Sequence, residues 1–148
     1  MTLSPIEWFY IALGLLSVAA TFLANRPLLS RALGLSGLEV VYCLTALAAL
    51  LIGWYFNFQY LREYGSQAGW VHWTRLLFVN PASASGGQDL IIANMLLFPL
   101  WSIIDGRRCG MRHSWLFFLM SLLTSFAFGM ALFLAMRERA LRRVPHGD

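Results

Sequence analysis

Few side chains in this sequence could move a proton or hold a polar ligand: Glu7, Glu39, Asp89, Asn94, Asn57 and Gln59. All lie in or beside long apolar runs, where polar groups are expensive to bury and are therefore candidates for function. Glu7 and Glu39 each follow a serine by three residues (Ser4, Ser36), the spacing of a helix capping box, and Ser85 with Gln88 repeats the pattern. Asp89 then falls in the first turn of the helix that Ser85 would cap. Carboxylates at these positions are stabilised by unpaired backbone N–H groups and by the helix dipole. The alternative chemistry is a proton donor for an apolar substrate. Two carboxylates would project into one cavity, and burial would raise a pKa. Asn94 lies inside an apolar run, so it either hydrogen-bonds between helices or binds a ligand. Asn57 and Gln59, beside Tyr55 and Tyr60, read as headgroup contacts or as the polar mouth of a pocket.

Other chemistry is thinly represented. His72 and His113 are far apart and are expected near opposite faces, which does not suit one metal, and His146 falls in the C-terminal tail. Cys43 sits in an apolar run as a small hydrophobe. Cys109, between Arg108 and Gly110, is either an ordinary loop cysteine or a thiol acidified by its neighbours. No zinc or iron–sulfur spacing, phosphate loop, nucleophile elbow or dinucleotide fingerprint is present, and no cofactor is expected.

The elements that would position these residues follow from hydropathy. The chain of 148 residues is 59% hydrophobic and 12% charged, with mean hydropathy +0.64, against roughly 25% charged in soluble domains. An all-α integral membrane protein is expected, one domain over 1–148 built as a four-helix bundle. The clearest stretch is 78–108, where a loop of small residues leads into an apolar run long enough for a hydrocarbon layer about 30 Å thick. Four spans are predicted, over about 6–24, 37–58, 86–105 and 115–136, with Pro99 kinking the third. Residues 68–79 would separate the second and third as a short interfacial helix, presenting Trp70, Trp73 and Leu77 on one face and His72 and Arg75 on the other, or as a re-entrant turn. A basic tail occupies 137–148. Small residues recur every fourth position, at Thr45, Ala49 and Gly53 on the second span and at Ser121, Ser125 and Gly129 on the fourth. These stripes predict that the two helices pack together. A cleavable signal peptide is not expected, given Glu7 and the lack of an early positive charge.

All eleven basic residues are arginines at the ends of apolar runs, which suits lipid headgroups as partners and not nucleic acid. Four crossings would place Arg62, Arg75, Arg137, Arg139, Arg142 and Arg143 on one side and Arg26, Arg31, Arg107, Arg108 and Arg112 on the other. Six against five hardly orients the chain. The arginine cluster at the C-terminus favours the cytoplasm.

From about 42 to 141 the chain resembles the domain-of-unknown-function 2834 family of small membrane proteins. The resemblance rests on Trp54-Tyr55-Phe56-Asn57, Asn80-Pro81 with Asp89 downstream, Gly110-Met111-Arg112 and Arg137-Glu138-Arg139. It implies a three-helix core to which the first span is an addition, and it brings no activity. Two functional readings follow from the residues. One is a non-enzymatic packing, assembly or accessory component, as a homo-oligomer or within a larger membrane complex. The other is a membrane-embedded cyclase- or isomerase-like enzyme, or a carrier, for an apolar isoprenoid or lipid.

Overall fold

Ser4 caps the first helix as its spacing predicts: its Oγ accepts the Glu7 N–H, and the Glu7 carboxylate accepts the Ser4 N–H (2.7 Å). Ser36 and Glu39 repeat the exchange at the start of the next long helix (3.1 and 2.9 Å). The computed structural model describes residues 4–29 and 34–143, so Arg31, His146 and the rest of the tail beyond 143 lie outside the described residues. Helix α1 is Pro5–Ala24 and α2 the short Arg26–Leu29; α3, Gly37–Tyr64, ends in a 3₁₀ turn at Gly65–Gln67, and α4 is Trp70–Leu76. Helix α5, Pro81–Ile92, runs through a π-helical turn at Ala93–Leu97 into α6, Phe98–Arg108, and α7 (Trp115–Leu123) and α8 (Phe126–Leu141) follow. Among the described residues there is no strand.

Among the described residues, three helices are long and apolar enough to cross a membrane: Pro5–Ala24, Gly37–Gln67 and Pro81–Arg108. The third starts earlier than expected. Asn80 accepts the Ser83 N–H (2.9 Å) and Pro81 takes the first helical position, a stronger start signal than Ser85. Asp89 therefore stands in the third turn and not the first, and the dipole argument no longer applies to it. The irregularity expected at Pro99 takes the form of the π turn one turn earlier, where Phe98 N–H reaches the Ala93 carbonyl. Widening the helix there accommodates the proline ring, which would otherwise crowd the preceding turn.

The expected fourth span over 115–136 is not one helix. Thr124 leaves the helical region (φ −127°, ψ −88°) and Ser125 is extended (φ −154°, ψ 152°), capping α8 through its Oγ, which accepts the Phe128 N–H. The chain then folds back. A Cβ on Gly129 would lie 2.7 Å from Ser121 Cβ, and the rings of Phe117 and Phe133 are 5.4 Å apart. Residues equally far before and after Ser125 thus meet, which defines an antiparallel helical hairpin. A straight helix would hold the two phenylalanines about 24 Å apart. The physical cause is the Thr-Ser pair. Both hydroxyls compete for backbone groups, with Thr124 Oγ1 donating to the Met120 carbonyl and Ser125 Oγ to that of Ala49.

This hairpin is the core. Phe117, Met120 and Phe133 are fully buried, and Phe98, Trp101 and Phe117 meet the Phe133 ring edge-on. Helices α1, α3 and α6 pack around it. Only 11–22% of the residues in the most apolar stretches of the three long helices are buried. Glycines admit the tip: Gly14 of α1 meets Thr124, and Gly53 of α3 meets Ser125.

The hairpin's open end is stapled by charge. Arg139 and Arg142 bind the buried Glu39 carboxylate of α3 (2.6 and 2.7 Å), and Arg137 pairs with Asp105 of α6. Arg142 also donates to the Gly34 carbonyl and Arg143 to that of Pro27. Buried Asn25 accepts the Arg112 N–H (2.9 Å) and so ties the α6–α7 turn to the end of α1. At the opposite end of the molecule, Arg62 reaches Glu7 (2.7 Å) and joins the end of α3 to the start of α1.

Candidate functional site

Above the hairpin tip lies a cavity of about 410 Å³, half open to the outside. Residues 121–127 form its floor. Trp54, Asn57 and Phe58 of α3 and Leu90 with Asn94 form walls, and Trp70 and Trp73 of α4 form the roof. The size lies in the usual range for small-molecule sites, roughly 300–1,000 Å³.

Each wall has a local cause. The π turn carries Asn94, and its extra backbone residue turns that side chain towards the hairpin, where Asn94 Oδ1 lies 2.9 Å from Ser121 Oγ. Ser121 has one hydroxyl proton and also lies 2.7 Å from the Phe118 carbonyl, so it serves one acceptor at a time. Asn57 sits one turn beyond Gly53 on α3, and its Nδ2 donates to the Thr124 carbonyl (3.4 Å), a backbone group freed by the break. The roof is held by Tyr60. Its hydroxyl accepts the Gly69 N–H (3.0 Å) and lies 2.9 Å from His72 Nδ1, while the His72 ring stacks on the Tyr60 ring and meets Tyr64 at a tilt. Trp70 and Trp73 meet edge to face beneath that anchor.

The residues singled out from sequence are thereby distributed. Asn57, Asn94, Gly53, Ser121 and Ser125 line the cavity. Asp89 does not; it is exposed and accepts a hydrogen bond from its neighbour Gln88. Gln59 is exposed and donates to Tyr55 one turn back (2.8 Å). Glu39 is at the stapled end, bound to two arginines. Of the small-residue stripes, Gly53 and Ala49 meet Ser125, and Gly129 meets Ser121 within the hairpin. Thr45 is exposed and bonds to its own helix at Val41. Sequence reasoning missed Gly14, whose position half-way along α1 was its only signal. It also missed Tyr60 as the anchor of α4.

Among the described residues no carboxylate, histidine, cysteine or arginine lines the cavity. Its titratable groups are the phenols of Tyr10 and Tyr60, the latter held by the Gly69 backbone and His72. Cys109, in the turn after α6, is half-buried; burial foremost, with Asp105 nearby, holds its thiol above the usual range. Among the described residues no three histidine, cysteine or acidic side chains converge as metal ligands.

A family described as protein of unknown function DUF2834 matches residues 41–139, about two-thirds of the chain, and the chain belongs to it. No curated protein and no solved structure matches.

Proposed function

We propose that this chain is a polytopic membrane protein that acts by packing and binding and not by catalysis. It crosses the bilayer three times through α1, α3 and the α5–α6 helix, and α7–α8 enters as a re-entrant hairpin from the arginine-rich face. The fold-back at Thr124–Ser125 carries this reading. Broken backbone at membrane depth is tolerated only inside protein or beside a cavity, and this break has both. Helix α4 then lies in the opposite interface, its tryptophans at headgroup depth. The exposed apolar surfaces of α1 and α3, with Leu16, Leu44 and Leu51 all at least 60% exposed, face lipid or a neighbouring subunit.

Returning the hairpin to its own side changes the charge count. Among described residues, Arg26, Arg107, Arg108, Arg112, Arg137, Arg139, Arg142 and Arg143 share one end, leaving Arg62 and Arg75 at the other. Eight against two orients the arginine-rich face to the cytoplasm, with the C-terminus inside and the N-terminus outside. The cavity's lack of a carboxylate favours binding or carriage of an apolar molecule over a cyclase- or isomerase-like reaction, which would need a proton donor there.

The test uses Leu35→Cys and Ser66→Cys, each in a cysteine-free background, with a membrane-impermeant maleimide on intact cells. Ser66→Cys should label at once, and Leu35→Cys only after the membrane is opened. Labelling of both from one side, or the reverse pattern, would overturn the topology.

A further inference from the structure

We infer that the cavity over the hairpin tip binds a lipid-soluble molecule whose head is uncharged and both donates and accepts hydrogen bonds, an alcohol on an apolar chain such as a prenyl alcohol. The inference rests on the membrane reading above and adds the ligand class. Among the cavity's polar groups are two carboxamides that the protein uses only in part. Asn57 commits Nδ2 to the Thr124 carbonyl, and Asn94 commits one end to Ser121. The other end of each has no protein partner among the described residues. Exchanging oxygen and nitrogen on Asn94 leaves the same vacancy, since a carboxamide has two polar ends and one is used. Asn57 is exposed and Asn94 half-buried, so within a membrane a ligand or water must meet these half-used groups.

The head must be neutral. Among the described residues no arginine or lysine lines the cavity to pair with a carboxylate or phosphate, and no carboxylate lines it to pair with an ammonium. The floor has no net polarity either, because the C-terminal end of α7 and the N-terminal end of α8 meet at the tip and their opposite partial charges lie side by side. Residues 121–127 therefore combine freed carbonyls with freed N–H groups, the mixture that suits a hydroxyl. The chain follows from the walls. Trp54, Phe58, Trp70, Trp73 and Leu90 give an aromatic and aliphatic surface that suits an apolar chain.

The experiment photo-crosslinks the full-length protein in lipid nanodiscs with a diazirine analogue of farnesol, and the labelled peptides are mapped by mass spectrometry. Label should fall within residues 53–73 and 121–127 and should be displaced by farnesol at least tenfold better than by farnesyl phosphate or by the hydrocarbon farnesene. Asn57→Leu should weaken farnesol competition at least tenfold, and Leu90→Trp, which fills the cavity, should abolish site labelling. Unchanged melting temperatures would show that both variants fold. Equal competition by farnesene would overturn the polar recognition, and equal competition by farnesyl phosphate the neutral head. Diffuse, unsaturable labelling in correctly oriented protein would overturn the site while leaving the topology intact.

Discussion

At the scale of single residues, the acidic side chains show how far local pattern carries. Glu7 and Glu39 were readable as caps because a capping box is an exchange between residues three apart. Their other partners were not, since Glu39 meets Arg139 and Arg142 from a hundred positions away. The two roles can be separated experimentally. Glu39→Gln keeps a residue able to complete the capping box and removes the charge, leaving Arg139 without its carboxylate in a largely buried setting. We expect a loss of about 3 kcal/mol, the scale of a broken buried pair, read as a lowered melting temperature in detergent. Asp89→Asn, at an exposed position, should leave stability unchanged within about 0.5 kcal/mol. Cys109 gives a pH prediction. Alkylation requires the thiolate, so a thiol held above its usual range by burial reacts slowly near pH 8. Iodoacetamide should modify Cys109 more slowly there than a free model thiol, and the gap should close as pH rises. A rate equal to the free thiol at pH 8 would contradict the burial described here.

At the scale of elements, hydropathy located the three long helices because a continuous apolar run needs no knowledge of what it touches. It failed at 115–136 for a physical reason. Two buried helices joined by two residues have the same average hydropathy as one span, and only the Thr124–Ser125 pair marks the joint. The small residues read as a stripe on one helix face are in fact split across the hairpin, Ser121 on one arm and Gly129 on the other. At Gly129 the arms approach closely. A side chain there would meet Ser121 at 2.7 Å and the Phe117 carbonyl at 3.0 Å, contacts that neither neighbour can relieve without moving the arms apart. Gly129→Leu should cost at least about 1–3 kcal/mol, as overpacking does. Gly34→Leu, at a position with open space around it, should not. Equal melting temperatures for the two variants would argue against the close approach.

At the scale of the whole molecule, the near-even arginine count depends on reading 115–136 as a span. On the proposed topology the hairpin carries four arginines to the other end, and the same residues then favour one orientation. The cavity was legible only in part. Asn57 and Asn94 stood out because polar groups in apolar runs are costly, but their convergence depends on a π turn, a helix break and an anchor between Tyr60 and Gly69, none of which has a hydropathy signature. The order of synthesis adds a final point. The arms of the hairpin are 9 and 16 residues long, shorter than the roughly 20 that an insertion machine releases into lipid as a stable rod. The part of the protein that fills its centre thus leaves the ribosome after the three long helices. On the proposed topology it must slip between helices already delivered to the bilayer, so a chain that stalls after α6 is left as a ring of walls without its contents.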